Sequence, residues 1–336
     1  MTTSTDLMDR LTHLIDRQTQ LNVDAVYYHD RAAPRAYLLA EDTARTLFEF
    51  RRDIEPILNP NRISDLHLQR RLLDHFARRY RHSIYDALQF VTFDAAHDRL
   101  VERVYLTFCH GLWSVLQCAR TEQDLAARLQ LHAVKHHRQL RLVTRSLFEQ
   151  HASVVNVQAL KAVTCAQYSP ELQLEVLGLD EATVNGPLLD VGCGEDGRLV
   201  QYLRTRHVHA VGVDRLVTPH PALFELDWHD LPAEQERWNT ITSHLAFSHH
   251  FLYHHQRASH ETVRFARTFQ RLLSNLTVGG TFAYAPSLPF IEQLLPDHTY
   301  LVTRQDIPAP APPQGQTTAP LLQRTQIRKL RSSSQT

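Results

Sequence analysis

The segment best equipped for chemistry reads Gly186-Pro-Leu-Leu-Asp190-Val-Gly192-Cys193-Gly194-Glu-Asp-Gly197-Arg198. Its apolar start predicts a buried strand over Leu188 to Val191, ending in a tight turn. Glycines in such a turn let the backbone approach a ligand closely, and the helix that follows would present free amides at its N-terminus. Asp190 stands at the strand end, two positions before the first glycine. A second strand, Ala210-Val-Gly-Val213, leads to Asp214, 24 residues beyond Asp190, and then to Arg215. A carboxylate there can accept hydrogen bonds from both hydroxyls of a ribose. A third short strand, Ala222 to Leu226, runs into Asp227-Trp228-His-Asp230-Leu-Pro232, which is placed to receive an adenine. Two other accounts of the turn stay open: a strand-to-helix connection with no ligand, and a nicotinamide site. Gly192-x-Gly194-x-x-Gly197 fits GxGxxG spacing, with Asp214 near the expected distance.

The second chemical feature is histidine. The chain has 22, six of them between His244 and His260. After a fourth predicted strand, Thr240 to Ser243, the sequence reads His244-Leu-Ala-Phe-Ser248-His249-His250-Phe-Leu-Tyr253-His254-His255. Imidazoles titrate near neutrality and suit a general base, so His249, His250 and His244 are the catalytic candidates, with Tyr253 behind them. Their bland account is a set of surface or hydrogen-bonded histidines. His250 and His254 are four apart, a two-ligand metal spacing on one helix face. No HExxH glutamate or third ligand accompanies them, and His132 and His136 repeat the spacing elsewhere, so no metal site is assigned.

These residues need a scaffold, and glycine and proline mark its parts. From Asn61 to Ser169 there is no proline and one glycine, Gly111, while nine of the ten glycines lie from Gly178 onward. Apolar positions three and four apart (Leu66, Leu72, Leu73, Phe76 and Tyr80; Val101, Val104, Tyr105, Phe108 and Leu112; Leu125, Leu129 and Leu131) predict an all-helical domain over residues 1–165. Asp65 and Thr121 mark two of its helix starts. Residues 166–336 alternate short apolar runs with helical ones, the pattern of a parallel α/β sheet. They include a helix over Glu261 to Asn275 and a Thr277-Val-Gly-Gly280 turn into a fifth strand, Thr281 to Tyr284. Thr299 to Thr303 and Gln323 to Leu330 would pair as a final antiparallel hairpin around a Pro-, Gln- and Thr-rich loop, 308–320. Tyr168 opens a lead-in helix capped at Ser169.

From about Tyr168 to Leu330 the chain resembles the class I S-adenosylmethionine-dependent methyltransferases. Leu188-Leu-Asp-Val-Gly-Cys-Gly194 looks like that family's first motif, Val211-Gly-Val-Asp214 its second, Glu225 to Pro232 its adenine-contacting segment and Leu276 to Pro286 its fifth-strand turn. The last two blocks fit this order better than the nicotinamide one. The resemblance implies a Rossmann-like seven-stranded sheet, six strands parallel and the antiparallel last one inserted. It implies S-adenosyl-L-methionine as cofactor, with Gly192 and Gly194 against its methionine part, Asp190 near its ammonium, Asp214 at the ribose, Asp227 and Trp228 at the adenine, and Cys193 and Arg215 also among the cofactor-binding residues. Ser243 and Tyr168 would complete the pocket. Gly197 falls one place later than in the family's usual DxGxGxG form.

Composition bounds the rest. Lys+Arg and Asp+Glu both number 36, so there is no basic surplus to favour nucleic acid or anionic membranes. No apolar run approaches the roughly 20 residues of a spanning helix. Met1 to Asp6 lacks the pattern of a secretion signal, and the four cysteines show no CxxC pairing; the expected location is the cytoplasm. The fourth strand is not followed by an Asn/Asp-Pro-Pro-aromatic motif or a Pro-Cys nucleophile, so base methylation is unsupported. The function expected is methyl transfer to a hydroxyl, carboxyl or amine of a small molecule, natural product or peptide, with the helical domain covering the site, binding a partner or forming a homodimer. The alternatives are RNA modification, and a cofactor-binding scaffold without catalysis.

Overall fold

The computed structural model describes residues 4–22, 37–87, 90, 91, 93, 95–151, 168–182, 184–233, 237–307 and 322–332. The chain forms two compact units, Met1–Ala162 and Val163–Thr336. The expected boundary at residues 165 and 166 and the loop 308–320 lie outside the described residues.

The first unit is helical: α1 (Ser4–Asn22), α2 (Thr43–Glu49), α3 (Arg51–Leu58), α4 (Leu66–Ala87), α5 (Ala95–Cys118) and α6 (Glu122–His151). Both expected start signals work as caps. Asp65 Oδ1 accepts from the amide of Leu68 at 2.9 Å, and Thr121 Oγ1 from that of Asp124 at 3.1 Å. Leu72, Tyr80, Ile84, Cys109, Leu112, Leu125 and Leu129 meet in one core. Leu131 does not join them and is 74% exposed, because two residues beyond Leu129 a helix has turned more than halfway round. The lone glycine of this stretch has a packing reason. A Cβ on Gly111 would stand 2.3 Å from the His132 ring, which bonds Phe108 O and draws α6 onto α5.

The second unit begins with α7 (Pro170–Leu177), capped by Ser169 and closed by left-handed Gly178. Then follow β1 (Leu188–Val191), α8 (Arg198–Thr205), β2 (Ala210–Asp214), β3 (Leu223–Glu225), a 3-10 turn (Trp228–Asp230), β4 (Trp238–His244), α9 (Phe247–Gln256), α10 (Glu261–Ser274), β5 (Leu276–Ala285), α11 (Pro289–Glu292), β6 (Tyr300–Asp306) and β7 (Gln323–Lys329). The strands lie in the order β3-β2-β1-β4-β5-β7-β6. Pairs β1–β2, β1–β4, β2–β3 and β4–β5 are parallel, and β7 runs antiparallel to both β5 and β6. The Rossmann-like, seven-stranded sheet with one inserted antiparallel strand is the one the resemblance implies. The order in which successive strands are added reverses between the parallel neighbours β1 and β4, and the carboxyl ends of those strands flank the crevice where such sheets bind ligands.

One boundary differs. β5 starts at Leu276, so Thr277 to Gly280 is strand and not a turn before it. The surplus length is absorbed by a register shift opposite Trp238 and Thr240, with Gly279 at φ +85°. Buried polar groups then fix the inserted strand. Lys329 Nζ donates to the carbonyls of Ser274 and Leu276 at 3.1 and 2.8 Å. The buried carboxylate of Glu292 accepts from Tyr284 Oη, the Leu288 amide and Thr325 Oγ1 and pairs with Arg304, tying β5, α11, β6 and β7 together. Glu292→Ala leaves those donors unmatched and is expected to destabilise the protein by roughly 3 kcal/mol or more, read from the midpoint of denaturant unfolding monitored at the sheet.

Candidate functional site

β1 is buried along its whole length, and its register carries Asp190 between Gly212 of β2 and Thr242 of β4. The Asp190 side chain is 1% exposed. Thr242 Oγ1 donates to its Oδ1 at 2.8 Å, while Oδ2 is buried and has no hydrogen-bond partner among the described residues. Burial pushes the Asp190 carboxyl up to about 7; the Thr242 hydrogen bond opposes this and the nearby charge of Asp214 adds to it.

Beyond β1, Gly192, Gly194 and Gly197 take φ of 80°, 75° and 53°, the left-handed region that glycine enters without strain. The turn's first amides are not free for a ligand. Gly192 and Cys193 both donate to Val213 O (2.8 and 3.2 Å), and Gly194 donates to Asp214 Oδ2 (2.9 Å). The turn is thus clamped to the end of β2. Gly197, one place later than the usual motif, is the N-cap of α8, and a Cβ there would meet Leu223 at 2.3 Å. Cys193 contributes only backbone. Its thiol packs in the core beside Gly212 and is pushed far above its ordinary range by burial, with the charges of Asp190 and Asp214 adding to the shift.

Asp214 ends β2 and takes a weaker second amide, from Leu216 at 3.4 Å. Burial raises its carboxyl pKa against the pull of Arg215 and the three amides of Gly194, Leu216 and Arg215. Asp227 caps the 3-10 turn by accepting from His229 N at 2.9 Å. Trp228 is buried, with the Arg215 guanidinium 5.4 Å from its ring centre. These residues follow β1, β2 and β3 in turn, so the sheet collects Asp190, the glycine turn, Asp214, Arg215, Asp227 and Trp228 along one edge.

The same edge receives the end of β4. Ser243 Oγ donates to Val191 O and accepts from the amide of Phe247, both within 3.0 Å, so its hydroxyl is spent on joining β4 to β1 and to the start of α9. The three candidate histidines part company. His250 is buried edge-on against Trp228, with ring centres 5.0 Å apart, and burial holds it well below the ordinary imidazole range; it supports the tryptophan. His249 is also lowered by burial. His244, the last residue of β4, is lowered by burial to about 4, and its Nδ1 has no hydrogen-bond partner among the described residues. Tyr168 packs edge-on against it at 5.2 Å, and α7, which begins two residues after Tyr168, is anchored by Gln326 of β7 on the carbonyls of Leu177 and Gly178. Among the described residues no group of three His, Cys, Asp or Glu side chains is arranged to hold a metal ion, and no helix is long and apolar enough to cross a membrane.

Two contributors were not identified from sequence. Thr242 is visible only once β1 and β4 are in register. Ala246 sits where a Cβ on Gly192 would meet it at 2.3 Å, so the small residue lets the start of α9 close on the turn. A small side chain just after a strand end was its one signal.

No protein-family model matches the chain and no curated protein matches its sequence. Solved structures do match it. A Listeria monocytogenes protein assigned as an S-adenosylmethionine-dependent methyltransferase is 17% identical, over 42% of this chain and 90% of that one, with a TM-score of 0.32. The N-methyltransferase NodS from Bradyrhizobium japonicum is 12% identical, over 47% and 94%, with a TM-score of 0.34. A Burkholderia thailandensis 1,6-didemethyltoxoflavin N1-methyltransferase, solved with 1,6-didemethyltoxoflavin and S-adenosylhomocysteine, is 13% identical, over 57% and 89%, with a TM-score of 0.34.

The burial of Asp190 has a measurable consequence. Its folded pKa of about 7 lies above the ordinary 3.8, so its contribution to stability is fully present below pH 3.8 and is lost as pH rises towards 7. Relative to Asp190→Asn, the unmodified protein should lose up to about 4 kcal/mol between pH 4 and 7 and then level off, as measured by denaturant titrations at stepped pH.

Proposed function

We propose that the α/β unit binds S-adenosyl-L-methionine and transfers its methyl group to a small-molecule or peptide acceptor, at a weakly basic nitrogen or a carboxylate. The observation that carries this reading is the unpartnered, buried Oδ2 of Asp190, at the end of β1 and close enough to Asp214 to feel its charge. A buried carboxylate oxygen without a donor is costly unless a cation or hydrogen-bond donor completes it. The ammonium of an amino-acid group is such a donor. The residues present fit the rest of that cofactor. Left-handed Gly192 and Gly194 carry no side chain on either side of the core-packed Cys193, Asp214 retains acceptor capacity for ribose hydroxyls, and Asp227 and Trp228 would take the adenine. When bound, the cofactor supplies a methyl group on a sulfonium, already activated for in-line displacement.

What this chain must add is alignment, exclusion of water and a place for a proton. Of the three candidate bases, His244 fits best. It stands at the carboxyl edge beside Tyr168, is neutral at physiological pH, and keeps Nδ1 unpaired among the described residues. An imidazole lowered to about 4 is too weak a base to ionise an alkyl hydroxyl. It can accept a proton from a nitrogen that becomes acidic as its lone pair is committed. Acceptors that already carry a lone pair therefore suit the site better than alcohols. Tyr168 would hold the His244 ring in place, and His250 would hold Trp228.

Calorimetry with S-adenosylmethionine tests the cofactor assignment. Asp214→Ala should weaken binding by about 1–3 kcal/mol. Binding to the unmodified protein should tighten as pH rises through about 7, because only the ionised Asp190 pairs with an ammonium, and Asp190→Asn should abolish that dependence. Unchanged affinity in both variants would remove the cofactor from this edge. For the reaction, transfer of labelled methyl should be followed over a panel of aromatic amines, heteroaromatic nitrogens, carboxylates and alcohols. His244→Ala is expected to lower kcat on the best substrate by about 100-fold with cofactor affinity unchanged; equal rates in the two proteins would take His244 out of the chemistry.

A further inference from the structure

The helical unit contains a cavity of about 140 Å³ within its own bundle, lined by residues from each of α1 to α6. Its walls are chiefly apolar, with Leu11, Ile15, Leu72, Phe76, Leu112 and Leu129 among them. Protein interiors are packed so closely that unfilled spaces much larger than a water molecule are few, and this one lies between six helices and is partly open to solvent.

The polar groups of its lining residues divide into two sets. Most are already used. Asn22 grips Leu38, with Nδ2 donating to its carbonyl and Oδ1 accepting from its amide, each at 2.9 Å. Gln18 Oε1 accepts from the Ala40 amide at 3.1 Å, and Tyr80 Oη meets Thr144 Oγ1 at 2.9 Å. Two atoms are not: His136 Nδ1 and Thr43 Oγ1 are buried with no hydrogen-bond partner among the described residues. His136 is pinned by aromatic neighbours, its ring centre 4.3 Å from that of Phe108 and 5.0 Å from that of Tyr105. Burial pushes it down to about 3, with His132 and His137 adding to the shift, so the ring is a neutral imidazole.

An unfilled apolar pocket and two orphaned polar atoms are separate costs, and one occupant would relieve both. Water is a poor candidate. The volume would take several molecules, each needing two to four polar partners, and two unpaired atoms do not supply them. An ion is worse, since neutral, apolar walls offer nothing against its lost hydration. A cavity of about 150 Å³ lined by aliphatic and aromatic side chains accommodates a benzene ring. We propose that the helical unit is a binding site for a small uncharged molecule with an apolar, ring-sized body and a hydrogen-bonding group directed at His136 Nδ1, chemically of the phenol class. This site lies inside the helical unit and stands whether or not the α/β unit transfers methyl groups.

The probes are phenol and benzene at low millimolar concentration, titrated into the full-length protein and followed by calorimetry and by Tm. Phenol should raise Tm and bind about ten-fold more tightly than benzene, the difference expected for one net hydrogen bond. His136→Phe should remove that preference while leaving benzene binding. Ala133→Leu fills the cavity from α6 and should abolish binding of both. Failure of both probes to bind the unmodified protein would overturn the proposal, as would undiminished phenol binding in Ala133→Leu. Equal affinity for the two probes would overturn the role of His136. The comparison of the two probes on unmodified protein needs no variant to fold.

Discussion

Two carboxylates, Asp190 and Asp214, end adjacent parallel strands at one edge of a buried sheet, and the surrounding structure is arranged to keep them there. Neither would be tolerated in the interior as a bare charge. Asp214 is accommodated by amides, one of them from Gly194 of the turn that follows the neighbouring strand. Asp190 has a single hydroxyl, from Thr242, and meets the rest of the cost by holding its proton to near neutrality. The local sequence follows from these requirements. Gly212 leaves room for Cys193 beside β1, and Gly192 leaves room for Ala246. The amides of residues 192 and 193 converge on Val213 O, so the turn cannot drift from β2 without losing three hydrogen bonds together.

From that clamp the order spreads outward. Ala246 rests on the turn and starts α9, whose His250 and Phe247 pack edge-on to Trp228. The loop carrying Trp228 is held from its other side. His229 Nδ1 meets Thr268 Oγ1 at 2.7 Å, and Arg271 donates to the carbonyls of His229 and Leu231, all from partners on α10. The adenine-side candidates therefore sit on a loop fixed at both faces, which is how a short irregular segment can offer a prepared surface. Tyr168 reaches the edge by a separate route, through α7 and its anchorage on β7.

How much of this could be read from the residues follows their physics. The strands and the glycine turn were legible because buried apolar runs and left-handed positions leave few residue choices, as did the caps at Asp65 and Thr121. The start of β5 was misread because Gly279 and Gly280 resemble a turn when in fact they carry a bulge, a distinction made only by the partner strand. That the turn's first three amides are taken could not be read for a related reason. A turn's donors cannot be assigned until the carbonyl opposite them, here Val213 O, is in place. Thr242 depends on register, and register is a property of two strands at once. The histidines were the least legible, since a run of identical residue types does not say which are buried.

Burial nevertheless gives those histidines a collective consequence. Imidazoles of His229, His244 and His250 are all driven towards the neutral form by desolvation, and positive neighbours such as Arg215 and Arg264 push His229 further the same way. They therefore bring no positive charge to an edge that holds Asp190, Asp214, Asp227 and Asp230 against Arg215, with Arg264 and Arg271 on the α10 side of the Trp228 loop. A site with that balance attracts a cation by its summed field as well as by any single contact. The proposed cofactor has two cationic centres, an ammonium and a sulfonium, whereas a nicotinamide dinucleotide would bring a pyrophosphate to the same turn. Its negative charge would have to sit beside two carboxylates, on a turn whose first three amides are already committed. The glycine spacing admits both ligands, and the charge and hydrogen bonding around it favour the cationic one.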